Sequence, residues 1–310
     1  MDIEMTINSI KKVATKYRLL NKIYLIVQTV MLKRRTNKAA ANLGRAGINV
    51  LNMSELKEKI LGKYVVKNDS VCHIIGSGWS LNNSQKRISP ADYIIGFNQA
   101  AVSGLKFDLY FVEFGSLKEK ETSLKQKKLI DEVILPQKGL VVFKNLWADR
   151  NEINFIVELW GRSVNYVKDI PVNCYNPKFL LQSMSIFMKN DSEYIRQYSS
   201  TALTLVKYAK DIGFKKIVLH GIDFGGKYFF EAEDFHNSNN LTNYLPDKSK
   251  TSIYIPSKDS KVHITATSGI GLRESLPIAS KMLAKEGVKI YSADSNSPLS
   301  QILPIFSSKK

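Results

Sequence analysis

Short apolar runs that end near Gly, Asn or Asp alternate with helical stretches from residue 71 onward. The runs that predict β-strands are residues 71–75, 93–97, 109–112, 133–135, 140–143, 164–167, 217–220 and 290–291. Apolar residues recur at helical spacing in residues 201–212 and 272–286, and a glycine, Gly213 or Gly287, separates each helix from the next strand. This order predicts an α/β domain with a mainly parallel sheet flanked by helices.

Charge divides the chain into a basic helical segment at residues 1–65 and a main domain at residues 66–310. The first segment holds 13 Lys and Arg against 4 Asp and Glu, which is +9 of the total net charge of +17. Its apolar residues 23–27 and 30–32 lie between Lys22 and Lys33, a pattern typical of a helix on an anionic membrane surface. Attraction to a phosphorylated acceptor, or packing of the helix on the main domain, is the alternative.

One stretch of the main domain, residues 231–262, is polar and shows little periodicity. A stretch of this length inside a compact domain predicts a lid or a binding loop, with a disordered insertion as the alternative.

Composition excludes several classes of protein. Hydrophobic residues make up 44% of the 310 residues, which excludes global disorder. No run of about 18 apolar residues predicts a transmembrane helix. Cys72 and Cys174 are the only cysteines, which excludes a disulfide scaffold and a cysteine-rich zinc site. The two cysteines fit a reducing compartment, so we expect a cytoplasmic protein, and the basic first segment suits the inner face of the cytoplasmic membrane.

Two motifs follow the first two predicted strands. Residues 76–78 read Gly-Ser-Gly, which lets backbone amides approach a phosphate, with a tight structural turn as the alternative. The next strand ends in Asn98 and Gln99, whose amides suit a base or a sugar. Leu81 replaces the third glycine of a dinucleotide fingerprint and no acid ends the second strand, so NAD binding is disfavoured.

Two further motifs lie later in the chain. Ser200 and Thr201 begin a predicted helix, where they either cap it or bind an anion together with the helix amides. Asp223 follows the strand at residues 217–220, and because no second carboxylate accompanies it, we expect it to hold its loop in place rather than bind a metal. Tyr228 lies on the same loop, where a phenol suits donation to a leaving phosphate.

Together, these motifs resemble those of the bacterial lipooligosaccharide sialyltransferases. The glycine turn, the Asn-Gln strand end, the hydroxyl-rich helix start, Gly-Phe-Lys-Lys-Ile-Val-Leu-His-Gly-Ile-Asp-Phe at residues 213–224 and Asn-Ser at 296–297 occur in the same order between residues 71 and 303. The resemblance implies a single Rossmann-like domain with a lid. It also implies a CMP-activated sugar as co-substrate and no metal.

The resemblance also implies roles for individual residues. Those expected to contact the donor are Gly76, Ser77, Gly78, Asn98, Gln99, Asn145, Ser200, Thr201, Asp223, Asn296 and Ser297. Tyr228 corresponds to one of two phenols aimed at the departing phosphate, whereas the second phenol falls at Gly225 and a family asparagine falls at Glu113. These departures leave Kdo or another acidic sugar open beside sialic acid.

The general base of the resembled enzymes is a histidine between the lid and the last long helix. His263 occupies that position, and His236, inside the lid, is the alternative. An acceptor hydroxyl needs a base with a pKa near 6–7 to take its proton as the new bond forms. His73 and His220 lie within predicted strands and are expected to be core residues.

The sequence therefore predicts an inverting glycosyltransferase that acts in lipopolysaccharide or surface polysaccharide biosynthesis. It would move sialic acid, Kdo or a related acidic sugar from a CMP-sugar to a surface glycan or lipid-linked acceptor. The expected partners are this donor, the glycan or glycolipid acceptor, an anionic membrane surface and a second copy of the chain, but no nucleic acid. One alternative is a nucleic-acid-binding protein, whose net charge of +17 would bind phosphates. The other is a non-catalytic nucleotide-binding protein of the same fold class.

Overall fold

A computed structural model describes most of the main domain and the basic helix before it. The described residues are 17–112, 120–144, 154, 157–159, 161, 165–172, 174, 176–198, 200–224, 228–231, 244, 254–256, 261–263 and 270–307. Asn145, Glu113, Gly225, His236 and most of the predicted lid lie outside these residues.

The main sheet has eight strands, and every neighbouring pair in it is parallel. Its strands are β1 (Val50–Leu51), β2 (Val71–Ile75), β3 (Tyr93–Phe97), β4 (Leu109–Val112), β5 (Leu140–Phe143), β6 (Asn165–Val167), β9 (Lys216–His220) and β12 (Lys289–Ser292). Two small sheets pair β7 (Asp169–Pro171) with β8 (Ile195–Gln197) and β10 (Tyr254–Pro256) with β11 (Lys261–His263).

Helices cover both faces of the main sheet, as predicted. They are α1 (Arg18–Arg45), α2 (Met53–Leu61), α3 (Leu81–Ser84), α4 (Lys120–Leu129), α5 (Leu180–Phe187), α6 (Thr201–Ile212) and α7 (Leu272–Ala284). A hydrophobic core lies on each face of the main sheet. In β2, Cys72 and Ile74 contact the core beneath α6 and α7, whereas the next residue, Ile75, contacts the core on the opposite face. Burial on both faces explains why these strands read as continuous apolar runs.

One predicted strand is wrong. Residues 133–135 belong to a helical turn at Ile130–Ile134 and to the short 3₁₀ segment Leu135–Gln137 that follows it. Ile130 and Ile134, four residues apart, are both buried on one side of this turn. A short apolar run does not distinguish a strand from a buried helical segment, and here the helical spacing of the two isoleucines decides the structure.

The order of the main sheet is β1-β6-β5-β4-β3-β2-β9-β12. The chain therefore proceeds outward from β2 in one direction as far as β6 and then continues on the other side of β2 with β9 and β12. Open α/β sheets bind ligands outside the carboxyl ends of their strands, at the point where the strand order reverses. In this sheet that point lies between β2 and β9.

The basic helix α1 packs against the main domain along one of its sides. The Asn21 side-chain amide donates to the Gln182 side-chain oxygen at 3.2 Å, and the buried Thr36 hydroxyl donates to the Asp169 carbonyl at 3.0 Å. Packing on the domain, one alternative for this segment, is thus observed, although only for one face of the helix. Among the described residues, no helix is both long enough and apolar enough to cross a membrane.

Candidate functional site

The loops after β2 and β9 lie in direct contact at the switch point. The Gly76 amide donates to the His220 carbonyl at 2.9 Å, and the Gly78 amide donates to the Gly221 carbonyl at 2.7 Å. A Cβ atom on Gly76 would lie 2.5 Å from the Gly221 carbonyl oxygen, and one on Gly78 would lie 2.4 Å from a carboxylate oxygen of Asp223. The glycines therefore permit the two loops to touch.

This contact agrees with one of the two roles that the sequence offered for the glycines. Binding a phosphate through their amides and forming a tight structural turn were the alternatives, and the N–H groups of Gly76 and Gly78 both donate within the protein. Their contribution is to the shape of the site, because any side chain at either position would separate the loops.

Asp223 links three loops through its carboxylate. One oxygen accepts from the Ser80 amide at 2.9 Å, and the other accepts from the Ser297 hydroxyl at 2.7 Å. Burial raises the pKa of Asp223, and the hydrogen bonds from Ser80 and Ser297 oppose that rise. These contacts agree with the structural role favoured for Asp223 and bring Ser297 to the same point.

The loop after β12 contributes a second carboxylate, that of Asp294, beside the carboxylate of Asp223. One oxygen of Asp294 accepts from the Asn296 amide at 3.0 Å, and the other accepts from the Asn83 side chain at 3.3 Å. Asn296 itself is exposed, so its side chain faces the solvent beside the buried Ser297. The carboxyl ends of β2, β9 and β12 thus meet in one place.

Tyr228 lies against the glycine loop. It forms an antiparallel bridge with Gly78, and the Phe229 amide donates to the Ser77 carbonyl at 3.1 Å. The Tyr228 ring stacks on Phe230 with the ring centroids 4.8 Å apart. We call Gly76, Ser77, Gly78, Asp223, Tyr228 and Ser297 the switch-point cluster. Six residues predicted for the site are therefore close together.

Asn98 and Gln99 follow β3, the strand next to β2, and open a short 3₁₀ segment. Asn98 has a φ of 54°, in the left-handed region that asparagine tolerates. Its carbonyl accepts from the Tyr110 hydroxyl, which fixes this backbone conformation. Within the described part of the chain, the side-chain oxygen of Gln99 is buried and has no hydrogen-bond partner. An acceptor of this kind suits the amino group or a hydroxyl of a ligand.

A buried cation lies on the other side of β4, at the start of α6. The Lys144 ammonium donates to the Thr201 hydroxyl at 3.0 Å and to the Gln197 side-chain oxygen at 3.4 Å. Gln197 in turn donates to the Asp169 carboxylate. Lys144, Gln197 and Asp169 are at most 5% exposed. We call Lys144, Asp169, Gln197 and Thr201 the lysine cluster.

Among the described residues at the start of α6, the Ser200 hydroxyl makes no capping hydrogen bond, although the sequence offered capping as one role. Thr204 instead organises this turn, because its hydroxyl accepts from the Tyr198 amide and donates to the Ser200 carbonyl. Helix amides, hydroxyls and the ammonium of Lys144 together form an arrangement suited to an anion.

His73 and His220 are core residues, as expected. Their rings are buried and joined by a 2.8 Å hydrogen bond between Nδ1 of His73 and Nε2 of His220. The outer nitrogens contact Asp92 at 3.0 Å and the Ser84 hydroxyl at 3.1 Å. Burial and the neighbouring His73 lower the pKa of His220 well below its usual value of 6.5. All four ring nitrogens are thus used inside the protein.

The histidine predicted as base lies on β11, where His263 is opposite Tyr254 in the antiparallel pair. Asn145 directly follows Lys144 but, like His236, lies outside the described residues. Over the described part of the chain, no group of three or more His, Cys, Asp or Glu side chains is arranged to hold a metal ion.

Sequence reasoning missed Lys144, Ser80, Asn83 and Asp294. A lysine directly after the apolar run of β5 was a usable signal for Lys144, since that position lies at the carboxyl edge of the sheet. The other three act through contacts between loops that are distant in sequence, and the local pattern around them carries no such signal.

The similarity to known proteins is to solved structures. No protein-family model matches the sequence, and no curated protein matches it significantly. The structure is similar to the monofunctional alpha-2,3-sialyltransferase Cst-I from Campylobacter jejuni, with 16% identity, a TM-score of 0.44 and coverage of 78% of this chain and 82% of that one. It is also similar to the sialyltransferase CstII from Campylobacter jejuni in complex with the substrate analogue CMP-3FNeuAc, with 16% identity, a TM-score of 0.43 and coverage of 78% and 89%. Both are sialyltransferases, the enzymes that the sequence motifs resemble.

Proposed function

We propose that this protein is a glycosyltransferase that moves sialic acid, Kdo or a related acidic sugar from a CMP-sugar donor to a glycan or lipid-linked acceptor. The observation that carries the proposal is the switch-point cluster, in which the loops after β2, β9 and β12 meet where open α/β sheets bind ligands. The CMP moiety would lie over this cluster, with Asn98 and Gln99 beside it on the next strand. Asn145 and Asn296 complete the proposed donor contacts.

The preference for an acidic sugar rests on the lysine cluster. A sugar carboxylate near α6 would receive hydrogen bonds from Ser200, Thr201 and the helix amides, with the positive charge of Lys144 behind them. A neutral sugar would gain less from this positive charge. The proposed selection is therefore electrostatic and acts on the transferred sugar rather than on the nucleotide.

The proposed reaction is a single displacement with inversion. The acceptor oxygen forms a bond to the anomeric carbon while the bond from that carbon to the CMP phosphate oxygen breaks, and CMP leaves with the bonding electrons. His263 takes the proton of the acceptor hydroxyl, with His236 as the alternative base. Tyr228 donates a hydrogen bond to the departing phosphate, a role for which its pairing with Gly78 is suitable.

We place this reaction at the cytoplasmic face of the cytoplasmic membrane, in the synthesis of lipopolysaccharide or another surface polysaccharide. In this proposal residues 1–65 form the membrane- or acceptor-proximal segment. Residues 66–310 form the transferase domain, and residues 231–262 close over the donor as a lid.

The test is release of CMP from CMP-sialic acid and CMP-Kdo, with and without a lipooligosaccharide acceptor. Wild type should release CMP from at least one donor in an acceptor-dependent manner. His263→Ala should lose transfer while binding CMP normally, whereas His236→Ala should retain transfer. Equal loss in both variants, or no CMP release by wild type from either donor, would contradict the proposal.

A further inference from the structure

Helix α1 has two faces of different character. Its inner face is docked on the main domain, where Tyr24 and Leu25 are buried against Ile186 and Thr36 is fully buried. The helix therefore does not need a further partner to be held in place.

The outer face of α1 is apolar and exposed to solvent. The side chains on it, with their exposed fractions, are Leu19 (69%), Leu20 (39%), Ile23 (49%), Ile26 (52%), Val27 (50%), Val30 (46%) and Met31 (41%). At 100° per residue they span an arc of roughly 140°, and at 1.5 Å per residue they extend over roughly 18 Å. We call these seven residues the outer apolar face. A contiguous apolar patch of this kind marks an interaction site.

The charges of α1 are all of one sign. Its sequence contains seven Lys and Arg and no Asp or Glu. Lys22 lies at the edge of the outer apolar face, and Arg34 and Lys38 continue the same side of the helix beyond Met31; all three are exposed. Lys33 is the basic residue turned toward the domain, where it pairs with Asp191 at 3.2 Å.

We infer that the outer apolar face docks on an anionic lipid bilayer, with α1 lying parallel to the membrane surface. The seven apolar side chains enter the boundary between headgroups and acyl chains, and Lys22, Arg34 and Lys38 contact anionic headgroups. Because its inner face is bound to the main domain, α1 attaches the whole protein to the membrane surface in a fixed orientation. This inference does not depend on the reaction proposed above.

Charge favours a bilayer over a second copy of the chain as the occupant. Two α1 helices that met through their outer faces would bring basic residues together, with no acidic residue on either helix to neutralise them. An anionic bilayer supplies the opposite charge along the whole length of the helix.

The experiment is flotation of the full chain with vesicles of phosphatidylcholine alone and of phosphatidylcholine containing about 30% phosphatidylglycerol, a fraction chosen to mimic an anionic leaflet. Ile23→Glu/Val27→Glu places two charges in the outer apolar face. Leu61→Glu/Val65→Glu is the matched control, since it adds the same charge at two exposed apolar positions outside α1, with the same spacing. Thermal unfolding checks that both variants fold.

Wild type and the control should float with the phosphatidylglycerol vesicles, and the face variant should bind at least tenfold more weakly with an unchanged melting temperature. Binding to phosphatidylcholine alone should be much weaker for every protein. Equal binding by the two variants, or no binding by wild type, would overturn the inference. Sedimentation that shows a wild-type dimer and a monomeric face variant would also overturn it, because the occupant would then be a second copy.

Discussion

The ammonium of Lys144 lies 3.0 Å from the hydroxyl oxygen of Thr201, and both residues are at most 8% exposed. Lys144 directly follows β5, and Thr201 is the first residue of α6. A buried cation thus lies at a helix N-terminus, where the helix dipole also favours negative charge. Because both features attract an anion, the pair offers a direct test of selection for an acidic sugar.

Lys144→Met should raise the KM for an acidic-sugar donor by at least about tenfold, since a hydrogen bond to a charged group contributes about 1.5–3 kcal/mol. The Kd for CMP, which lacks the sugar carboxylate, should stay within about twofold of the wild-type value. That change in binding free energy is well under the roughly 1.4 kcal/mol of a tenfold change. Steady-state kinetics with calorimetric titration of CMP measures both. Lys189→Met, at an exposed position, is the control. A parallel loss of CMP binding would instead indicate a structural role for Lys144.

Gly78→Ala should destabilise the fold by about 1–3 kcal/mol, because the new Cβ would lie 2.4 Å from the Asp223 carboxylate and 2.8 Å from the Gly221 carbonyl oxygen. Gly44→Ala in α1 is the matched control. No atom lies within 4 Å of its added Cβ, and alanine favours the helix by about 0.5–1 kcal/mol. Chemical denaturation measures both effects, and equal stability of the two variants would show that the loops have room to separate.

The sequence predicted the strands that are buried on both faces. Residues 71–75, 93–97, 109–112 and 140–143 are strands with the predicted bounds, because parallel strands covered on both faces consist mainly of apolar residues. Val50–Leu51 was not predicted, since a two-residue edge strand has no periodicity and forms only through its pairing with Tyr166 and Val167.

The site was predictable where its residues follow strands and unpredictable where loops meet. Asp223 and Ser297 were identified from local motifs, but their hydrogen bond joins positions 74 residues apart. From the sequence alone, lying on a membrane and packing on the main domain are alternatives for the basic helix segment. The structure shows α1 packed through one face while its other face remains exposed, a combination that requires knowledge of which side the domain covers.

Tyr228→Phe should lower kcat for sugar transfer by about tenfold or more while leaving the KM for the donor unchanged, because the lost hydroxyl acts on charge that develops on the leaving phosphate. The measurement is steady-state transfer over a range of donor concentrations. Tyr17→Phe, at an exposed position, is the control. An unchanged kcat for Tyr228→Phe would remove the proposed role for this phenol.

Acid should destabilise the protein through His220. Its pKa in the folded state lies well below 6.5, so the folded protein keeps it neutral while the unfolded chain binds a proton below about pH 6.5. Stability is therefore full above that pH and falls progressively as the pH decreases below it. Urea unfolding at pH 7.5, 6.5 and 5.5 measures this loss. His220→Asn should show a shallower pH dependence, and an identical slope would contradict the assignment.

The central claim is that the switch-point cluster binds a cytidine nucleotide. The most direct measurement is the melting temperature of the full chain with CMP, UMP, GDP and NAD, since a ligand at 100 times its Kd stabilises the folded state by about 2.7 kcal/mol. We predict a rise of several degrees with CMP that Gly78→Ala diminishes, and little change with the other three. No shift with CMP, or an equal shift with all four nucleotides, would contradict the account.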